Sequence, residues 1–116
     1  KEYIIKGGIK MFCRRRCYRT FQENDIGIEE LKEKVKQGAI LLDVRSRQEY
    51  QEGHINGAIN IPEYEIDRRV EQEIQNKNLP IIIYCQYGSR SRNVYDKMKR
   101  KGYTNIYNLK GGLEML

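Results

Sequence analysis

Two stretches, residues 39–44 and the Ile81-Ile82-Ile83-Tyr84 run behind Pro80, are apolar at nearly every position. A strand with one wet face alternates polar and apolar residues. An unbroken run instead fits a strand covered on both faces, the condition of a parallel sheet between helices. The surrounding sequence supplies the covers. Ile28, Leu31 and Val35 recur at helical spacing after Gly27, with Glu29 and Glu30 in the first turn and Gly38 as the stop. Residues 47–51 read as a short helix, 58–61 as a short strand, and Ile66, Val70 and Ile74 as the apolar stripe of another helix. A helix predicted over 91–101 turns Val94, Tyr95 and Met98 inward and stops at Gly102; residues 105–108 are predicted as the last strand. Strands alternating with helices across short connections predict an α/β fold of three layers, a central, mainly parallel sheet with helices on both faces.

At 116 residues the chain is expected to form one domain. Its net charge of +6 is localised: residues 1–20 hold seven of the 22 Lys and Arg and one of the 16 Asp and Glu, so the remainder balances fifteen against fifteen. Residues 1–16 are read as a basic N-terminal extension and 17–116 as the domain, opening on a short extended piece through Phe21. The extension carries no nucleic-acid reading motif, so no nucleic-acid partner is expected. The longest apolar runs, about five residues, fall well short of the roughly 20 that a membrane span needs. Three cysteines, an odd number with no recognisable secretory leader before them, point to a reducing, cytoplasmic compartment. Cys13 and Cys17 could find only His54 and Cys85 as further zinc ligands, so no metal site is expected, and nothing in the sequence calls for a cofactor.

In parallel sheets, function collects at the carboxyl ends of the strands. Cys85 falls there, directly after the most apolar strand, and the connection Gln86-Tyr87-Gly88-Ser89-Arg90 leads to Ser91, where the helix is predicted to open. A strand end, a tight turn with glycine and a helix N-terminus aim backbone amides into one concavity suited to an anion. A cysteine at its rim is expected to favour the thiolate, the nucleophilic form, through the helix dipole, the amides and Arg90.

Three spaced motifs carry a family resemblance. Leu42-Asp43-Val44-Arg45 with Glu49-Tyr50 and the Gly53-His54-Ile55-Asn56-Gly57-Ala58-Ile59-Asn60-Ile61-Pro62 segment is similar to the signature preceding the active loop of rhodanese domains. Tyr84-Cys85-Gln86-Tyr87-Gly88-Ser89-Arg90-Ser91 resembles their active loop, and Gly102-Tyr103 through Leu109-Lys110-Gly111-Gly112 their closing segment. The resemblance runs from about residue 26 to the end and implies a rhodanese-like fold and a sulfurtransferase. In that reading catalytic Cys85 takes a sulfane sulfur from thiosulfate or a persulfide, holds it as its own persulfide, and passes it to a thiol or cyanide. Gln86, Tyr87, Gly88, Ser89, Arg90 and Ser91, with Arg45, are the implied substrate-binding residues, the amides of Tyr87 through Arg90 holding the anionic sulfur. The implied partners are a small anionic donor or a protein persulfide, and a thiol acceptor. Two-domain liver-type rhodaneses carry basic residues where Glu49 and Tyr87 stand here, which favours a persulfide over thiosulfate as donor.

Two other classes fit parts of the pattern. Phosphatases and arsenate reductases of related fold use a Cys-x5-Arg loop around a tetrahedral oxyanion, whereas Cys85 to Arg90 is Cys-x4-Arg, one residue short. A rhodanese-like module that binds or regulates without chemistry is the alternative from outside enzymology, against which the retained cysteine counts. His54, the sole histidine, is read as a structural hydrogen-bonding residue. Asp43, Arg45 and Glu49 are read as a charge network under the loop, with Arg90 paired to Asp43 or Glu49.

Overall fold

The computed structural model describes residues 22–116. Five strands, β1 (Asp25–Ile26), β2 (Ile40–Asp43), β3 (Ile59–Asn60), β4 (Ile81–Tyr84) and β5 (Ile106–Leu109), form one sheet in the order β1-β5-β4-β2-β3. Every pairing among them is parallel. The two apolar runs lie side by side, Ile40 opposite Ile81 and Asp43 opposite Tyr84, so the most hydrophobic segments occupy the middle of the sheet. Four helices cover it: α1 (Ile28–Lys36), α2 (Arg47–Glu52), α3 (Ile66–Glu73) and α4 (Ser89–Arg100).

Side chains on a strand alternate between faces, and the core divides accordingly. Leu42, Val44, Ile81, Ile83 and Cys85 meet Ile66 and Val70 of α3 and Val94, Tyr95 and Met98 of α4. Leu41, Ile82 and Tyr84 point the other way, against Leu31 of α1, Ile55 and Leu113, with Tyr50 of α2 packed beside them. The three-layer α/β architecture expected from the sequence is therefore present. Among the described residues no helix is long and apolar enough to cross a membrane.

Local differences have local causes. The helix predicted from Ser91 begins two residues earlier, because Gly88 takes a left-handed φ of 106° and caps α4 itself. The last strand is shifted by one, to Ile106–Leu109. β1 has no counterpart in the sequence reading: two residues are too few for a periodic pattern, and Asp25 and Ile26 become a strand only by pairing with Asn108 and Leu109. The extended piece through Phe21, the basic extension, Cys13 and Cys17 lie outside the described residues.

Ile83 is fully buried in the central strand beneath α4. Ile83→Ala is expected to lower unfolding free energy by about 2–5 kcal/mol, the range for truncating a buried aliphatic side chain, as read by urea denaturation; a loss under about 1 kcal/mol would show that the site collapses around the smaller side chain.

Candidate active site

The site begins where β4 runs out of neighbours. Cys85 continues the alternation of Ile81 and Ile83, so its side chain enters the α3/α4 side of the core, where it is 1% exposed. The chain then turns through Gln86 and Tyr87 to Gly88, and α4 starts at Ser89. A helix leaves its first N–H groups without intrahelical partners, and one of these, on Ser91, donates to Cys85 Sγ at 3.3 Å. The Gly88 N–H donates to the same sulfur at 3.0 Å. The thiol donates to Ser91 Oγ at 3.4 Å, and that hydroxyl donates to the Gly88 carbonyl at 3.1 Å. Two backbone donors, one of them from the helix N-terminus, thus converge on one sulfur. Within the loop, Gln86, Gly88 and Arg90 are half-buried, Tyr87 and Ser89 exposed, and Ser91 buried.

Arg45 lies beneath the loop rather than over it, and is itself buried. Its Nε and NH2 engage the buried Asp43 carboxylate at 3.1 and 2.8 Å, NH2 also donates to the Gly53 carbonyl at 2.6 Å, and NH1 reaches Gln86 Oε1 at 3.1 Å. One guanidinium therefore joins the end of β2, the end of α2 and the residue after the cysteine. Asn60 on β3 donates to the carbonyls of both Asp43 and Arg45, fixing the same corner.

Of the two acids offered to Arg90, the fold selects Glu49. The pair is bidentate, NH1 to Oε1 at 2.8 Å and NH2 to Oε2 at 3.1 Å. Ser46 and Glu49 form a reciprocal capping box at the start of α2, which sets Glu49 in place. The Arg90 guanidinium, with help from the Ser46 backbone, outweighs partial burial and holds the Glu49 carboxyl at about 2. His54 takes a supporting position: Nδ1 donates to the Tyr50 carbonyl at 2.7 Å and the ring stacks on Tyr50 at 3.7 Å. Tyr50 in turn donates to the Ala58 carbonyl at 2.5 Å.

Residues at the far end of the chain complete the site. After β5, Gly111 and Gly112 both take left-handed φ values and begin a 3-10 turn, Gly112–Met115. Leu113 N–H donates to the Cys85 carbonyl at 3.0 Å and Glu114 N–H to the Gln86 carbonyl at 3.1 Å. Glu114 Oε2 accepts from Gln86 Nε2 at 2.9 Å. Gly112 is the point of closest approach: a β-carbon there would overlap the Cys85 carbonyl oxygen and stand 2.6 Å from the Gln86 carbonyl carbon. In the sequence the glycine pair belongs to a recognisable motif, whereas Leu113 and Glu114 carry no pattern that assigns them a role. The available signal was the adjacent glycines, which mark a close backbone approach.

A parallel α/β sheet with a cysteine set in an amide-lined turn at the end of its central strand defines a class of thiol-bearing, strand-end sites. Residues 27–115 match the rhodanese-like domain, and the chain belongs to that family. It is 42% identical over 76 residues to the uncharacterized protein YqhL of Bacillus subtilis, covering 66% of this chain and 59% of that protein. Thiosulfate sulfurtransferase PspE of Escherichia coli is 37% identical over 73 residues, 63% of this chain and 69% of that one. Among solved structures, the human single-domain sulfurtransferase TSTD1 superposes with a TM-score of 0.72 at 27% identity, over 81% of this chain and 95% of its own. A rhodanese from E. coli solved with anions gives 0.62 at 33% identity, over 68% and 92%.

The Arg90–Glu49 pair generates a pH prediction. The carboxyl is held below its ordinary 4.5, so the unfolded chain binds the extra proton between about 4.5 and 2. The pair's stabilisation is complete above that window and fades as pH falls through it. Both side chains are about one-third exposed, 35% and 34%, so the stabilisation is about 1 kcal/mol or less. Glu49→Gln, which keeps the capping oxygen, should lower stability by that amount at pH 7 and by progressively less below pH 4.5; urea titrations in which the gap stays constant down to pH 2.5 would show that the ion pair is not its origin.

Proposed function

We propose that the protein is a rhodanese-type sulfurtransferase in which Cys85 carries the sulfur. The observation that carries the reading is the convergence of the Gly88 and Ser91 amides on Cys85 Sγ at the end of β4. The thiosulfate sulfurtransferases among its relatives support it.

The chemistry proceeds in two displacements. Cys85 thiolate attacks the outer sulfur of thiosulfate; the new S–S bond forms as the old one breaks, and sulfite leaves with the electron pair. With a persulfide donor the leaving group is the donor's thiolate. The bound product is Cys85 persulfide, whose terminal sulfur is anionic and needs fixed donors, supplied by the first turn of α4 and the loop from Gln86 to Ser89. An acceptor thiolate or cyanide then attacks that terminal sulfur, the S–S bond breaks, and Cys85 thiolate is released. Neither displacement requires a cofactor.

Gln86, Tyr87, Gly88, Ser89, Arg90 and Ser91 form the donor-binding loop in this proposal, and the two arginines brace it. Arg45 holds Gln86 from below, while Arg90 is committed to Glu49 at the side. That commitment also favours sulfur over a phosphate-sized oxyanion, which would need an arginine folded into the loop. Exposed Tyr87 and the acid at Glu49 make the rim less cationic than a dedicated thiosulfate site, so a protein persulfide or small thiol persulfide is the proposed natural donor and a thiol the acceptor. A reducing, cytoplasmic setting suits a reactive free thiol.

Incubation with thiosulfate should add the mass of one sulfur atom to the protein, and cyanide should remove it. Cys85→Ser should take up none and lose transfer from thiosulfate to cyanide; sulfur uptake or transfer surviving in that variant would place the chemistry elsewhere.

A further inference from the structure

The described C-terminal turn touches the active loop through its backbone, at two adjacent peptides. Leu113 N–H holds the Cys85 carbonyl and Glu114 N–H holds the Gln86 carbonyl, at 3.0 and 3.1 Å. A trans peptide is planar, with its C=O and the following N–H pointing in opposite directions, and no peptide among the described residues is cis. Fixing the Cys85 carbonyl therefore fixes the Gln86 N–H on the far side of the same plane, and fixing the Gln86 carbonyl does the same for the Tyr87 N–H. From these contacts we infer that the 3-10 turn at Gly112–Met115 is the positioning element of the sulfur site: it sets the two peptide planes so that the Gln86 and Tyr87 amides face the space into which the persulfide sulfur projects.

Three further observations agree. Gly112 presses on this segment so closely that any side chain would displace one of the two carbonyls. Gly88, on the other side of the turn, lies against Gly111, whose nitrogen would stand 3.2 Å from a β-carbon at position 88. The Gln86 side chain is held from below by Arg45 through Oε1, a bond that opposes rotation of the same peptides and that changes at position 114 leave in place. A peptide flip at Cys85–Gln86 or Gln86–Tyr87 would aim a carbonyl dipole at an anionic sulfur and remove a donor from it, so its orientation bears directly on how long the persulfide survives.

The inference rests on the sulfurtransferase reading but is separable from it by experiment. Glu114→Pro deletes the N–H that holds the Gln86 carbonyl, whereas Glu114→Ala keeps that N–H and deletes only the carboxylate bond to Gln86. After loading with thiosulfate, the lifetime of Cys85 persulfide should fall about tenfold in Glu114→Pro, roughly 1.4 kcal/mol, and stay within about twofold of the parent in Glu114→Ala. Thiosulfate titration of Cys85→Ser, followed by amide NMR shifts, reads recognition without chemistry. The Gln86 and Tyr87 amides should respond there, and should cease to respond when Glu114→Pro is added. Should the proline variant not fold, an ester linkage at position 114, installed with an α-hydroxy acid, removes the same donor without the ring. Equal behaviour of the Pro or ester variant and the Ala variant, in either direction, overturns the inference. A parent that takes up no sulfur while the amide shifts behave as stated overturns the sulfurtransferase reading and leaves the positioning role standing.

Discussion

The end of a central parallel strand is a place where backbone groups lose their ladder partners, and most of this site follows from how those groups are satisfied. β4 pairs with β2 through Tyr84 on one side and with β5 through Ile83 on the other. Beyond Tyr84 neither neighbour continues alongside, and the carbonyls of Cys85 and Gln86 find their partners outside the sheet; for the buried Cys85 an unpaired carbonyl would cost about 1–3 kcal/mol. The Gly111-Gly112 turn brings Leu113 and Glu114 amides to them. With the carbonyls engaged there, the Gly88 and Ser91 amides remain to donate to the sulfur.

The charged residues around the loop act on the same geometry from below and from the side. Asp43 and Arg45, both buried, join β2 to the Gly53 corner and to Gln86 through hydrogen bonds that leave neither charge unpaired. Glu49, fixed by its capping box, takes Arg90 and so ties the first turn of α4 to α2. His54 and Tyr50 stack and bond within the connection leading to β3, and Tyr84 accepts the Ile55 N–H at 3.1 Å from beneath it. Each contact limits movement of a loop whose Gly88 and Ser91 amides converge on Cys85 Sγ.

Much of the architecture was legible because it is written in periodicity. The nearly continuous apolar runs at residues 39–44 and 81–84 called for a covered parallel sheet; Ile66 and Val70, with Ile74 just past the helix end, and Val94/Tyr95/Met98 named the faces of α3 and α4 that pack on it. Cys85 was legible as a strand-end residue for the same reason. Less legible were features lacking a repeat. A two-residue strand such as β1 has no pattern and exists by pairing with β5. The start of α4 depended on a single left-handed residue, Gly88, which can belong equally to a loop or to a cap.

By itself, then, the sequence determined the layers, the buried faces and the position of one cysteine at the carboxyl end of the central strand, because hydrophobic burial and strand alternation act between near neighbours in the chain. Only the tertiary structure decided which acid Arg90 takes, that Arg45 faces Gln86 and Gly53, and that Leu113 and Glu114 close on the active loop. These contacts join residues 41 positions apart for Arg90 and Glu49 and 28 apart for Gln86 and Glu114. Strand order and helix packing set such distances, and no local pattern encodes them.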